Sequence, residues 1–132
     1  MSLNVLLVDD SSTMRAMVAK TLQMSGLPIG QVHQAANGRE GLDVLDAEWV
    51  DLVFVDINMP VMGGLEMIDR LRARPELQAL PIVVISTESS QTRISEVTSK
   101  GVQFVHKPFT PERVREVVEG IVEGLDDDRA DD

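Results

Sequence analysis

The stretch Val53-Phe54-Val55-Asp56-Ile57-Asn58-Met59-Pro60, followed at once by Met62-Gly63-Gly64, decides how the rest of the chain is read. An apolar run that ends on an acid before a Pro/Gly turn reads as a buried strand that delivers its carboxylate to the rim of a sheet. In open α/β sheets that rim is where ligands bind. Asp56 is therefore the residue whose chemistry has to be explained.

The segments on either side repeat the pattern. Leu3-Asn4-Val5-Leu6-Leu7-Val8 stops abruptly at Asp9-Asp10, and its nearly continuous apolarity suggests a strand covered on both faces, as in parallel sheets. Ser11 and Ser12 then supply N-cap chemistry before Met14, Met17, Val18 and Leu22, which recur at helical spacing. Gly26-Leu27-Pro28-Ile29-Gly30 breaks that helix, Val32–Ala36 offers a weaker second strand before Asn37-Gly38, and Leu42 and Leu45 mark a short helix. The third strand is read at Asp51–Val55. Leu65, Ile68 and Leu71 space a third helix, with Pro75 and Pro81 bracketing its exit.

Ile82-Val83-Val84-Ile85, β-branched throughout, reads as a fourth strand ending at Ser86-Thr87-Glu88. Ile94 and Val97 mark a mostly polar fourth helix, and Val102–Val105 a fifth strand ending at His106-Lys107-Pro108-Phe109. Thr110-Pro111-Glu112 combines a cap, a proline at the first helical position and an acid in the first turn. Behind it Val114, Val117, Val118, Ile121, Val122 and Leu125 form an amphipathic stripe, predicting a last helix to about Gly124.

Five strands alternating with five helices, at spacings that require crossovers, specify one parallel sheet with helices on both faces. The 132 residues amount to one domain, with no internal repeat; we expect it to span residues 1–124, followed by an acidic, disordered tail at 125–132. The composition, 43% hydrophobic and 26% charged, is that of a globular chain, and the absence of cysteine removes disulfides, thiolate metal sites and a cysteine nucleophile together. No stretch approaches the roughly 20 apolar residues of a membrane span, and no basic leader precedes the first strand, so membrane insertion and export are not expected and the cytoplasm is. The net charge is −10; removing the five aspartates and one arginine of the last seven residues still leaves −6, which argues against nucleic-acid binding.

Parallel strands place Asp9, Asp10, Asp56, Ser86 and Lys107 just past strand ends on a single rim. Clustered carboxylates repel, and a divalent cation resolves the repulsion; oxygen ligands without His or Cys indicate Mg2+, with Mn2+ the alternative. Lys107 adds a fixed positive charge and Ser86 a hydroxyl. Metal, ammonium and hydroxyl around one carboxylate suit phosphoryl transfer, with Asp56 as the nucleophile that forms an acyl phosphate. Taken singly, the same residues have plainer readings. Asp9-Asp10 can be an acidic pair at a helix N-terminus, Ser86 a hydroxyl bonded to backbone, Lys107 a solvated charge and Phe104 a core residue. His33 is read as a surface residue and Trp49 as packing only.

Leu6-Leu7-Val8-Asp9-Asp10, Asp56-Ile57-Asn58-Met59-Pro60 with Gly63-Gly64, Ile85-Ser86 and Lys107-Pro108-Phe109, in this order, resemble the receiver domain of two-component response regulators over nearly the whole chain. Ser11-Ser12-Thr13-Met14-Arg15 and the absence of an output domain resemble the single-domain, CheY-like members. The resemblance implies a flavodoxin-like (βα)5 fold with strand order 2-1-3-4-5. It implies Mg2+ held by Asp9, Asp10, Asp56 and the backbone carbonyl of Asn58, and phosphate accepted by Asp56 from a histidine kinase. It also implies that Ser86 and Lys107 read the phosphoryl group, that Phe104 is a switch aromatic, and that Lys107–Pro108 is a cis bond. Asn58, Thr87 and Glu88 are expected to tune access to the phosphate. Thr87 stands where a small residue is usual and predicts slow turnover; Phe104 lacks the hydroxyl of a tyrosine.

Two functions from different classes follow. One is a Mg2+-dependent switch whose surface around the fourth helix, fifth strand and last helix changes partner, such as a motor switch component in chemotaxis, with a phosphatase as a further partner; a phosphorelay intermediate or a phosphate sink are variants of it. The other is an adaptor that binds regardless of phosphorylation. A metal-dependent phosphatase is unsupported, because Asn58 occupies the position where a second acid would serve.

Overall fold

The computed structural model describes residues 2–107 and 109–130, with side chains described through residue 122. Five strands, β1 (Leu3–Val8), β2 (Ile29–Ala35), β3 (Leu52–Val55), β4 (Ile82–Ser86) and β5 (Gln103–His106), form one parallel sheet in the order β2-β1-β3-β4-β5. The intervening helices are α1 (Ser12–Met24), α2 (Gly38–Ala47), α3 (Gly64–Arg72), α4 (Gln91–Thr98) and α5 (Pro111–Ala130), with a 3-10 turn at Pro75–Leu77. The parallel sheet with helices on both faces agrees with the reading of the sequence pattern, and the strand order with the one the resemblance implies.

The uninterrupted apolarity of the inner strands has a direct cause: the sheet divides the core into two layers. Val5, Leu7, Phe54, Val83 and Ile85 point to the face covered by α1 and α5, where Val18, Leu22, Val114 and Val118 meet them. Leu6, Val8, Val53, Val55 and Val84 point the other way, toward Leu42 of α2, Met67, Ile68 and Leu71 of α3, and Val97 of α4. Alternate residues of one strand thus serve different layers. Each fully buried aliphatic side chain contributes about 1.5–3 kcal/mol, so a strand such as β3, buried at all four residues, cannot afford a polar position.

Helix starts are set by local chemistry. Ser11 Oγ accepts a hydrogen bond from Met14 N at 3.1 Å and Thr110 Oγ1 from Arg113 N at 3.1 Å. Asn37 Oδ1 accepts from Glu40 N at 2.9 Å while Glu40 Oε1 accepts from Ala36 N at 3.2 Å, a reciprocal cap for α2.

Several expectations are corrected. β2 begins at Ile29, inside the stretch read as a break, because Leu3 pairs with Ile29 and the register then shifts so that Val5 pairs with Val32. Asn4 Oδ1 accepts from Gln31 N there, at 2.9 Å, and supports the irregular pairing. β5 lies one residue later than read. α5 continues through Gly124 to Ala130, past the end near Gly124 expected for the last helix. One glycine costs about 1 kcal/mol in a helix, too little to end it without a proline or a capping residue. Residues 131 and 132, and the Lys107–Pro108 bond read as cis, lie outside the described residues. Trp49 does not pack inward: it is 76% exposed, its Nε1 donating to Asp51 Oδ1 at 2.9 Å. His33 is half-buried on the edge strand β2. Among the described residues no helix is long and apolar enough to cross a membrane.

At the rim opposite Asp56, Arg72 closes the fold. Its Nη1 donates to the carbonyls of Leu77, Gln78 and Leu80 at 3.2, 3.0 and 2.8 Å, and its Nη2 to that of Gly101 at 3.2 Å. One planar cation therefore joins the end of α3, the turn before β4 and the turn before β5. Arg72→Leu, which keeps the stem and removes the donors, is expected to lower the free energy of unfolding in urea by about 1–3 kcal/mol. Arg72→Lys, offering a single ammonium, is expected to recover less than half of that loss.

Candidate functional site

The parallel register carries three strand ends to one rim, and the ladder extends a residue beyond each strand. Asp9 N donates to Ala35 O at 3.1 Å, Asp56 N to Val8 O at 3.0 Å and Lys107 N to Ser86 O at 2.8 Å. The backbones at Asp9, Asp56 and Lys107 are thus held by the sheet itself, so only side-chain rotation remains to be set.

Asp9, Asp10 and Asp56 each offer a carboxylate oxygen within 4.8 Å of the others. Asp9 is 8% exposed, Asp56 half-buried and Asp10 exposed. Lys107 Nζ stands 3.6 Å from Asp9 Oδ2 and 3.5 Å from Asp56 Oδ2. Asp9 Oδ1 accepts from Ser11 N at 2.9 Å, and Asp56 Oδ1 from Ile57 N at 2.7 Å. Burial pushes the Asp56 carboxyl above its usual range; the Lys107 ammonium and the Ile57 N–H pull it back, while the Asp9 charge adds to the rise. One ammonium against three carboxylates leaves negative charge in excess. Oxygen donors with excess charge, one of them reachable from solvent, fit a hard divalent cation that keeps part of its water shell.

The remaining expected residues are placed as follows. Asn58 is exposed two residues past Asp56, and among the described residues no backbone N–H donates to its carbonyl. Ser86 is 2% exposed, and its Oγ accepts from Glu88 N at 3.1 Å, so the hydroxyl sits in a turn leading to α4 and does not hydrogen-bond Asp56 or Lys107. Glu88 is half-buried, and its Oε1 accepts from Ser90 N at 3.1 Å; Thr87 is exposed between them. Phe104 is half-buried against the α3/α4 layer, with its ring centroid 6.5 Å from that of His106. Val84 pairs with Phe104 and Ser86 with His106, so Ser86 and Phe104 occupy the same sheet face one pleat apart.

Two residues were assigned no role from the sequence. The Arg15 guanidinium donates to the Asp9 carbonyl, and its Nε to Gln34 Oε1 at 3.0 Å, tying α1 to the acidic turn and to β2. The signal was its place one helical turn beyond the Ser11 cap, on the side from which the chain entered. Gly64 is the other. A Cβ there would lie 2.2 Å from the Asp56 carbonyl oxygen and 3.1 Å from Ile57 Cα, and Gly64 N donates to Ile57 O at 2.8 Å. The start of α3 therefore presses directly against the backbone that aims Asp56.

The loop between them is strained. Met62 N donates to Pro60 O at 2.7 Å across Val61, whose φ is 67°. This three-residue turn puts a β-branched residue in the left-handed region, and Val61, 83% exposed, gains no packing in return. Val61→Gly is expected to raise unfolding free energy by about 1 kcal/mol in urea titrations. Gly64→Ala is expected to lower it by about 2–4 kcal/mol, with the amide signals of residues 56–58 displaced in NMR spectra.

Comparison with known proteins bears on this rim. The response regulator receiver domain family matches residues 5–119. The chemotaxis protein CheY1 of Helicobacter pylori is 36% identical over 127 residues, covering 95% of this chain and all of that protein. A CheY homologue of Campylobacter jejuni is 35% identical over 122 residues, covering 91% of this chain and 92% of its own length. Among solved structures, the chemotaxis response regulator CheY4 of Vibrio cholerae superposes with a TM-score of 0.80 at 34% identity, covering 92% of this chain and 99% of that one. The chain therefore belongs to the response regulator receiver domain family, with chemotaxis proteins of the CheY type among its relatives.

Proposed function

We propose that Asp56 accepts a phosphoryl group from the phosphohistidine of a histidine kinase, in a Mg2+-dependent reaction, and that the modified protein changes its partner through the α4-β5-α5 surface. The observation that carries this reading is the convergence of the Asp9, Asp10 and Asp56 carboxylates with Lys107 Nζ on one rim. A structural ion pair needs one acid and one base; three acids with one base form a receptacle for further positive charge and for phosphate. We place the receiver unit at residues 1–124 and the protein in the cytoplasm.

Asp9, Asp10 and Asp56, with the Asn58 carbonyl, are the groups that would hold Mg2+. When bound, the ion would offset the charge of the phosphoryl oxygens. The rest falls to the chain. An Asp56 carboxylate oxygen attacks phosphorus, the P–N bond of the phosphohistidine breaks, and the departing imidazole keeps the bonding pair and takes up a proton from solvent. The product is an acyl phosphate on Asp56. The Lys107 ammonium, 3.5 Å from Asp56 Oδ2, neutralises a phosphoryl oxygen as the group arrives.

Ser86 connects this chemistry to the surface. Its hydroxyl, at rest an acceptor for Glu88 N, donates to a phosphoryl oxygen and gives up that bond. The turn that starts α4 then loses a support, since Glu88 also accepts from Ser90 N. α4 is poorly anchored, with Val97 its only buried residue, so little apolar contact opposes its movement. Phe104, one pleat below Ser86, takes the vacated space. The CheY relatives favour chemotaxis as the pathway, with a motor switch component as target and a phosphatase as a further partner.

Incubation with acetyl phosphate and Mg2+ followed by intact mass measurement tests the reading. One phosphoryl adduct is expected, absent in Asp56→Asn and after chelation; no adduct with any divalent ion would leave an adaptor that binds irrespective of phosphorylation. Thr87 stands exposed beside Ser86, where its branched side chain restricts the approach of water. Thr87→Ala is expected to shorten the phosphoryl lifetime by about threefold or more in a phosphate-release assay. Equal lifetimes would remove that role.

A further inference from the structure

The rim opposite Asp56 carries a second feature that the phosphoryl chemistry does not use. Between the end of α2 and the segment before β4 lies a cleft of about 550 Å³. Leu45, Val50, Leu77 and Leu80 form its apolar wall, and Glu48, Asp51 and Glu76 are its charged lining residues, with no cation among them. Trp49 lines the same cleft and is 76% exposed, the second most exposed large hydrophobic of the described residues after Val61.

Trp49 is not a loose surface side chain. Its Nε1 donates to Asp51 Oδ1 at 2.9 Å, and Asp51 Oδ2 in turn accepts from Asn4 N at 2.8 Å, so the indole is anchored to β1 through a carboxylate already satisfied twice. The ring face is thereby held open to solvent without loss of rotamer freedom on contact. Glu48 and Glu76 are exposed, and among the described residues neither has a cation within ion-pair distance. An aromatic face favours a guanidinium or ammonium above it, the unpaired carboxylates favour the same charge, and the apolar wall favours aliphatic neighbours.

We propose that this cleft docks a short basic and apolar segment of a partner protein, with an arginine laid on the Trp49 ring and flanking aliphatic side chains against Leu45, Leu77 and Leu80. Charge complementarity decides the occupant. A second copy of this chain, at net charge −10, would bring like charge to an acidic cleft, whereas a cationic segment neutralises it. The four residues of β3 separate the cleft from Asp56 by about 13 Å, so this contact is made whether or not Asp56 is phosphorylated. It works as a tether that leaves the opposite rim free.

Trp49 is the chain's one tryptophan, so its emission reports the cleft alone. The probe is an acetylated, amidated hexapeptide of alternating arginine and leucine, with twins bearing glutamate or glutamine in place of arginine. The arginine peptide is expected to change Trp49 emission saturably, more weakly at high salt, and with equal affinity before and after incubation of the protein with acetyl phosphate and Mg2+. The doubly substituted Glu48→Gln/Glu76→Gln protein is expected to bind about tenfold more weakly, with calorimetry as the second readout. Absence of saturable binding, equal binding of the glutamate twin, or unchanged affinity in the double variant overturns the proposal. Concentration-dependent dimerisation in sedimentation, lost in Trp49→Ala, would assign the cleft to a second copy and overturn it equally.

Discussion

One ammonium group holds the working rim together. Lys107 Nζ reaches Asp9 at 3.6 Å and Asp56 at 3.5 Å, and so links strand ends that lie on β1, β3 and β5. Without it, the two buried or half-buried acids would face each other across a short gap of low polarity, where like charges are costly. The contact is only partial compensation: the distances are those of loose ion pairs, and Asp10 remains outside them. A tight, fully neutralised cluster would be a static brace. The looser arrangement keeps the acids in place while leaving charge for something else to bind.

That cluster depends on backbone placed by the whole sheet, and this is why so much of it was legible. The apolar runs at Leu3–Val8 and Leu52–Val55 are continuous because both faces are covered, and each ends on the acid that the rim requires. Rim membership follows from the alternation of strands and helices in a parallel sheet, whereas the strand order was legible only through the resemblance to receiver domains. What was hidden depends on contacts between distant segments. Gly30 entered β2 because Leu3 lay alongside to pair with its neighbour, which no local signal reveals. Trp49 reads as packing because it precedes the third strand and does not follow Asp56; its indole instead faces outward and bonds the aspartate two residues on.

The fine structure of the site was hidden for a related reason. Nothing in the sequence gives Arg72 or Arg15 a structural role, yet both donate to backbone carbonyls of other elements. A carbonyl leaves no mark in a sequence, so an arginine that serves carbonyls cannot be told from one that serves water. Gly64 belongs with them: its missing side chain matters because of the Asp56 carbonyl behind it, not because of its own backbone angle.

The two-layer core has a mechanical consequence. α4 packs in the layer of α2 and α3, while α5 packs with α1 on the other side of the sheet, so the two helices that flank β5 share no apolar layer. β5 is the hinge-pin between them, and it is an edge strand, laddered to β4 alone. Shifting an inner strand would break two ladders; shifting β5 strains one. The face of the molecule bounded by this edge, next to Lys107, thus deforms more easily than the sheet interior, and the stiff interior strands act as its anvil.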